Sequence, residues 1–146
     1  MKIRTVLATK GMNMISISPE QTLKEAIGVL AQHNIGALLV LDADKSMVGI
    51  LSERDIIRHI ARDEQALGQP IASIMTSNVI TGRPQDDVQS VMATMTERRF
   101  RHLPIMDGDA LIGIISIGDV VKAQMDDFQG KIDTLQTQII EGEATE

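Results

Sequence analysis

Residues 49–56 have the sequence Gly-Ile-Leu-Ser-Glu-Arg-Asp-Ile, and residues 113–120 have the related sequence Gly-Ile-Ile-Ser-Ile-Gly-Asp-Val. Two other segments recur in the same order, 14–19 as 79–84 and 38–42 as 103–107. The offset is 65 residues for these segments and 64 for the first pair, so a single deletion in the second copy explains the change. An internal repeat of this kind predicts two pseudo-symmetric units with clefts between them. The function is expected in those clefts.

Each copy has the pattern strand, helix, strand, strand, helix. In the first copy the strands are predicted at residues 14–17, 37–41 and 47–51, and the helices after Thr22 and over 52–61. Thr22 and Glu25 have the spacing of a capping box, and Asp87 takes the place of Thr22 in the second copy. Turn residues at 42–45 and 107–109 predict a hairpin in each copy. The predicted fold class is mixed α/β, with two β-α-β-β-α repeats.

One compact unit is expected, because a repeat of this length has only a marginal core of its own. The predicted segments are an N-terminal helix or linker at 1–13, the first repeat at 14–62, a linker with a short helix at 63–78, the second repeat at 79–125, and a C-terminal helix with a tail at 126–146 that frays from Glu141.

The composition excludes several classes of function. The chain has two Phe and no Trp or Tyr, which disfavours a base-stacking surface for single-stranded nucleic acid. A net charge of −6 disfavours general binding of polyanions. Without cysteine there are no disulfides, thiolate metal sites or cysteine nucleophiles. The N-terminus lacks the apolar core of a secretion signal, and no apolar stretch is long enough to cross a bilayer. A soluble cytoplasmic protein is therefore expected.

The two Gly-x-x-Ser-x-x-Asp segments are the strongest candidates for a site, because each lies where a strand ends and a helix begins. One interpretation is a pair of capping boxes, Ser52 with Asp55 and Ser116 with Asp119. The other is a nucleotide site. The N–H groups and dipole of a helix start attract phosphate, and an acidic side chain one turn later can accept hydrogen bonds from ribose hydroxyls.

A second candidate is the basic cluster at residues 97–102, Glu-Arg-Arg-Phe-Arg-His. A solvated helix end explains Arg98 and Arg99. It explains Arg101 and His102 less well, since they open the next predicted strand. An arginine there suits a phosphate, which its planar guanidinium can bind through two hydrogen bonds. The matching residues of the first copy are the uncharged Gly36 and Ala37, so the two clefts are expected to differ in affinity or in ligand.

The sequence contains no other recognised catalytic or ligand-binding motif. Residues 113–119 have the glycine spacing of a phosphate loop but lack the Lys and Ser/Thr that must follow. The three histidines are too scattered for a metal site, and no pair of carboxylates has the pattern of an acid–base pair. We therefore expect that the protein binds no metal and is not an enzyme.

The last predicted helix has an apolar seam with alternating spacings of four and three, formed by Val121, Met125, Phe128, Ile132, Leu135 and Ile139. It is about two and a half heptads long, shorter than most sustained coiled coils. The two interpretations are a coiled coil and a helix that packs on its own domain or on a second subunit.

Taken together, the two copies resemble a tandem pair of cystathionine beta-synthase (CBS) domains, also called a Bateman module. The matching segments are residues 15–19, 35–42 and 48–56, and residues 74–76, 79–81, 99–107 and 112–120. The resemblance covers about residues 5–125. It implies small three-stranded sheets with helices outside, a flat homodimer, and clefts that bind adenosine-containing ligands.

The resemblance also implies which residues bind the ligand. Ser52, Asp55, Ser116 and Asp119 would contact phosphate and ribose, and Arg101 and His102 would contact phosphate. The first strands would line the adenine pocket through Ser16, Ile17, Ser18, Thr81 and Gly82. The other residues of the implied sites are Gly36, Ala37, Arg54, Thr76, Leu103, Pro104 and Gly118.

The expected function is that of a stand-alone regulatory sensor. It would bind AMP, ADP, ATP, NAD or S-adenosylmethionine between its repeats and signal to a partner protein by differential binding to two arrangements. The alternative is a structural dimerisation or adaptor module whose clefts stay empty. Nucleic-acid binding through the arginine cluster is a weaker hypothesis, since the chain is acidic overall.

Overall fold

The computed structural model describes residues 1–11 and 14–144. The elements follow in the order α1 (Ile3–Lys10), β1 (Ser16–Ile17), α2 (Leu23–His33), β2 (Ala37–Leu41), β3 (Met47–Ser52), α3 (Glu53–Arg62), two short 3-10 helices (Glu64–Gly68 and Ile71–Ser73), α4 (Val88–Arg98), β4 (His102–Asp107), β5 (Ala110–Ser116) and α5 (Ile117–Ala144). The predicted mixed α/β fold with two related halves is confirmed.

The first half contains a three-stranded sheet. β1 pairs in parallel with β2, and β2 pairs antiparallel with β3. The hairpin closes over the predicted turn, where Asp42 Oδ1 accepts hydrogen bonds from the N–H groups of Asp44 and Ser46, both at 2.9 Å. Helix α2 begins as predicted, because Thr22 Oγ1 accepts a hydrogen bond from Glu25 N at 3.2 Å.

The second half differs from the first in its opening strand and in its helix cap. β4 and β5 form an antiparallel hairpin, but the third strand is reduced to a parallel bridge between Gly82 and Ile105. Gly82 stands where the first copy has Ile17, and glycine weakens a strand. Asp87 is the N-cap residue of α4, but its side chain accepts no capping hydrogen bond. Its carboxylate instead lies 3.9 Å from the amino group of Met1.

Each half has its own hydrophobic core, and each core includes residues from a segment outside its repeat. The first core takes in the 3-10 region through Ala66, Ile71 and Ile74. The second core takes in α1, whose Ile3 and Val6 are 0% and 2% exposed and pack with residues of α4, β4, β5 and α5. The N-terminal helix therefore packs in the second half, although it precedes the first half in the chain.

Helix α5 continues through Ala144, beyond Glu141, where the sequence predicts fraying; residues 145 and 146 lie outside the described chain. Only the first turns of α5 are in the core, through the fully buried Val120 and the partly buried Ala123. From Phe128 to Gly142 every residue is exposed.

Candidate functional site

A cavity of about 500 Å³ lies where the two halves meet. This volume is in the range of small-molecule sites. Its lining comes from the first half (Gly36, Ile50, Ser52, Glu53, Arg54, Asp55, Arg58), the connecting segment (Thr76, Asn78, Val79, Ile80) and the start of β4 with the residues before it (Arg98, Arg99, Phe100, Arg101, His102).

The start of helix α3 forms one wall of the cavity, and its geometry is that of a capping box. Ser52 Oγ accepts a hydrogen bond from Asp55 N at 3.2 Å, and Asp55 Oδ2 accepts one from Ser52 N at 3.0 Å. The predicted capping interpretation is therefore confirmed. The box also orients the carboxylate, because one oxygen is held by the backbone. Asp55 has no ion-pair partner among residues 1–11 and 14–144, which leaves Oδ1 able to accept a further hydrogen bond.

The lining of the cavity is strongly cationic. Five arginines contribute to it, from α3, from the end of α4 and from the segment that leads into β4, against the two carboxylates Glu53 and Asp55. Arg54 Nη1 donates a hydrogen bond to the carbonyl oxygen of Arg99 at 3.1 Å, which ties the first half to the second along the cavity wall. Arg99 ends α4 in the left-handed conformation, with φ of 58°, so the chain turns sharply and directs residues 100–102 into the cavity wall.

His102 packs against the backbone of Gly36. A Cβ atom at Gly36 would lie 3.2 Å from His102 Cε1 and 3.3 Å from Nε2, so a larger residue would require the imidazole to shift by a few tenths of an ångström. Burial lowers the pKa of His102 below its usual value, and the nearby Lys10 ammonium lowers it further, while Asp119 and Glu53 act in the opposite direction. The imidazole is therefore biased to the neutral form.

The connecting segment is held against β3 by a pair of backbone hydrogen bonds. Ile50 N donates to Thr76 O at 3.0 Å, and Thr76 N donates to Ile50 O at 2.9 Å. Gly49 makes this close approach possible, since a Cβ atom there would lie 2.6 Å from the Met75 sulfur and 2.9 Å from the Thr76 carbonyl oxygen. Thr76 is thereby fixed on the cavity wall.

The second helix start repeats the capping box but has an additional partner. Ser116 Oγ accepts from Asp119 N at 3.1 Å, and Asp119 Oδ2 accepts from Ser116 N at 2.8 Å. Lys10 Nζ, at the end of α1, lies 2.7 Å from Asp119 Oδ2 and donates to the carbonyl oxygen of Ile114 at 2.6 Å. Burial raises the pKa of Asp119, but the hydrogen bonds from Lys10 and Ser116 outweigh it and hold the pKa below its usual value. The two helix starts are thus chemically unequal.

The structure brings seven of the predicted site residues together around this cavity: Gly36, Ser52, Arg54, Asp55, Thr76, Arg101 and His102. The sequence interpretation assigned the charged residues 101–102 and the uncharged residues 36–37 to different clefts. They do not separate in that way, because His102 packs on Gly36 and lines the same cavity.

The other predicted residues lie elsewhere. Thr81, Gly82 and Leu103 line a smaller cavity of about 360 Å³ beside α4. Outside the lining of both cavities are Ser16, Ile17, Ser18, Ala37, Pro104, Ser116, Gly118 and Asp119. Of these, Ile17, Ala37 and Pro104 are buried in the sheets, so their side chains serve the core.

Sequence reasoning missed several residues of the site. Arg98 and Arg99 have the sequence pattern of a solvated helix end, and Arg58 is not among the predicted site residues, yet all three line the cavity. Lys10 was not identified at all, because it meets Asp119 from a helix that lies more than a hundred residues earlier in the chain. When the two copies are aligned with the 65-residue offset, Lys10 corresponds to Met75. Met75 is the residue that contacts Gly49 in the first copy. That correspondence is the signal that could have revealed it.

Within the described residues, no helix combines the length and apolar character needed to span a membrane. The same part of the chain contains no group of three or more His, Asp or Glu side chains arranged to hold a metal ion.

Two related halves with a ligand-sized cavity at their junction define a paired-repeat module. The sequence profile of the CBS domain matches the chain twice, over residues 4–62 and 71–126. The chain therefore belongs to the CBS-domain family.

Solved structures of the same family share the fold. The CBS-domain containing protein ATU1752 from Agrobacterium tumefaciens has a TM-score of 0.82 at 39% identity, covering 84% of this chain and 92% of that one. PAE2072 from Pyrobaculum aerophilum, which was solved in complex with AMP, has a TM-score of 0.73 at 27% identity, with coverage of 82% and 89%. The CBS domain pair of MJ0100, in complex with 5'-methylthioadenosine and S-adenosyl-L-methionine, has a TM-score of 0.75 at 26% identity, with coverage of 90% and 98%.

Proposed function

We propose that this protein is a regulatory module that binds a phosphate-bearing adenosine ligand, such as AMP, ADP, ATP or NAD, in the cavity between its halves. The observation that carries the proposal is the combination of a cationic wall with an oriented carboxylate at a helix start. The complexes of PAE2072 with AMP and of MJ0100 with two adenosyl compounds support the adenosine part.

Different residues would bind the ribose and the phosphate of the ligand. Asp55, with one oxygen held by Ser52 N, offers the other to the ribose hydroxyls. The guanidinium groups of Arg58 and Arg101 suit the phosphate, because arginine binds phosphate through charge-assisted hydrogen bonds. S-Adenosylmethionine has a positive sulfonium where a nucleotide has phosphate. The cationic wall therefore favours nucleotides over S-adenosylmethionine.

The unequal helix starts favour one nucleotide site. At the second helix start, Lys10 already occupies one oxygen of Asp119 and the carbonyl oxygen of Ile114. Asp119 also lies outside the lining of both cavities, whereas Asp55 lines the cavity between the halves. We expect a stoichiometry of one nucleotide per chain.

The regulatory output follows from the position of the cavity. A ligand that contacts α3 and residues 98–102 touches both halves, so it stabilises whichever arrangement of the halves places these groups around it. The Arg54 to Arg99 hydrogen bond lies at the junction that would adjust. A homodimer that passes this change to an effector protein is part of the proposal, as is a regulatory rather than catalytic role.

The test compares AMP with 5'-methylthioadenosine, which keeps the adenosine unit but lacks the phosphate. Isothermal titration should give AMP at least about tenfold tighter binding, since a charge-assisted hydrogen bond is worth about 1.5–3 kcal/mol. Arg101→Gln should remove most of this difference. Arg62→Gln is the matched control, because Arg62 belongs to α3 but does not line the cavity. Equal affinity for both compounds refutes the phosphate assignment, and no binding of either favours the adaptor alternative.

A further inference from the structure

The outer part of helix α5 presents an apolar face without a partner in the described chain. The seam residues Met125, Phe128, Ile132, Leu135 and Ile139 are 48–65% exposed. The match to the CBS domain ends at residue 126, so most of the seam lies outside the shared domain. Most of the stability of a helix in a protein comes from packing of its apolar face, and the outer part of α5 has no such packing in the described chain. The seam therefore requires a packing partner.

The order of the seam residues fits a two-stranded parallel coiled coil. Spacings of four and three place Met125, Ile132 and Ile139 at one core position of the heptad and Phe128 and Leu135 at the other. A β-branched residue at the first position with leucine at the second favours two parallel strands, and residues 132–139 follow this rule. Gly130 falls on the opposite face, so it leaves the seam continuous.

The charges around the seam fit a second copy of this chain. The acidic side chains of Asp126, Asp127 and Asp133 fall on the outer face of the helix. The positions that flank the seam carry only neutral or basic side chains over residues 122–138, namely Lys122, Gln124, Gln129, Lys131, Gln136 and Gln138. In parallel register Lys131 would face Gln136 of the second copy, and Gln124 would face Gln129. Two chains of net charge −6 can therefore meet here without facing acids.

Polar side chains outside the seam already have partners within the helix. Lys131 Nζ lies 3.2 Å from Asp127 Oδ2, and Gln129 Nε2 donates to Asp133 Oδ1 at 2.9 Å. Thr134 and Thr137 donate their hydroxyl hydrogens to carbonyl oxygens one turn earlier, at 2.9 and 3.0 Å. The polar face needs no partner, whereas the apolar face does.

We propose that α5 pairs in parallel with α5 of a second copy through residues 121–139, forming a short coiled coil beyond the CBS pair. This inference does not depend on nucleotide binding. It specifies an association additional to any contact between the CBS repeats themselves.

The absence of cysteine from the sequence allows a direct test. Leu135→Cys places a thiol in the seam, where parallel pairing brings the two Cα atoms within the span of a disulfide. Thr137→Cys is the matched control, since residue 137 lies two positions away on the outer face. Under mild oxidation of the full-length chain, Leu135→Cys should cross-link at least about tenfold faster than Thr137→Cys. Equal rates, or no cross-linking at residue 135, overturn the proposal.

A second pair of variants separates pairing from accidental collision. Ile132→Lys added to Leu135→Cys puts a buried charge in the seam and should slow the cross-linking to the rate of the Thr137→Cys control. Thr134→Lys added to Leu135→Cys puts the same charge on the outer face and should leave the rate unchanged. If both lysines slow cross-linking equally, the seam is not the contact. Light scattering and circular dichroism of each variant show that the domain remains folded.

Discussion

The capping box at the start of α3 leads to a specific prediction about ribose recognition. Asp55→Asn retains an oxygen that can accept the hydrogen bond from Ser52 N, so the start of the helix should stay intact. The substitution removes the negative charge that we assign to the ribose 2'-hydroxyl. It also removes a carboxylate that repels phosphate. A ratio of two nucleotide affinities is therefore the best readout, because the phosphate effect cancels in it.

The ratio to measure is the affinity for AMP over that for 2'-deoxy-AMP. A hydrogen bond to a carboxylate is worth about 1.5–3 kcal/mol, so the unaltered protein should prefer AMP by about 10- to 150-fold. A neutral amide acceptor is worth about 0.5–1.5 kcal/mol, so Asp55→Asn should reduce the preference to about 2- to 10-fold. Isothermal titration with both nucleotides gives the two ratios directly.

Asp119→Asn is the matched control, because Asp119 has the same capping role in the second half but is held by Lys10. We expect it to leave the preference for AMP unchanged within about twofold. Two results would refute the reasoning. One is an unaltered protein that binds both nucleotides equally, and the other is a ratio that collapses in Asp119→Asn but not in Asp55→Asn.

Three other predictions concern stability and proton linkage. Lys10→Met should lower the free energy of unfolding by about 1 kcal/mol and the melting temperature by about 3 °C at pH 7. Folding lowers the pKa of Asp119, so its ion pair stabilises the protein above the unfolded pKa and loses this effect as the pH falls through the folded pKa. The difference between the two proteins should therefore shrink in melts as the pH is lowered below about 3.9, the usual pKa of aspartate. A difference that does not change with pH would contradict the pairing with Asp119. Gly49→Ala should lower the free energy of unfolding by about 1–3 kcal/mol in denaturant titrations, and by more than Gly113→Ala does. The new methyl group at residue 49 meets a backbone oxygen, whereas the one at residue 113 meets only a flexible leucine side chain. The reverse order of the two variants would contradict this packing. A bound phosphate should raise the lowered pKa of His102, so the affinity for the nucleotide should rise as the pH falls towards about 6. Calorimetry in buffers of different ionisation enthalpy should then show more proton uptake on binding by the unaltered protein than by His102→Gln. Equal proton uptake by the two proteins would place the phosphate elsewhere.

The parts of the fold that depend on local pattern could be predicted from the sequence. The repeat, the hairpins and both Ser–Asp helix starts are encoded within short segments, and the structure has them at the expected residues. The opening strand that the repeat predicts for the second copy is reduced to a single bridge between Gly82 and Ile105.

The rest of the site depends on contacts between distant segments. Lys10 reaches Asp119 only because α1 packs on the second half, and no periodicity within α1 indicates which half it will choose. In the same way, Arg98 and Arg99 look like a solvated helix end until the left-handed turn at Arg99 is known. Sequence patterns predict where the helices begin, but the residues that line the cavity can be identified only once the tertiary arrangement is known.

The packing of α1 in the second core has a consequence for how the chain matures on the ribosome. Ile3 and Val6 are synthesised about a hundred residues before β4 and β5, the strands that they pack with. The nascent helix must stay exposed until β4 and β5 have emerged, so folding of the second half contains a long-range closure step, which slows folding. An early stop codon after the first half would thus release a fragment with an apolar helix that has no place to bury, a ready target for chaperones and proteases.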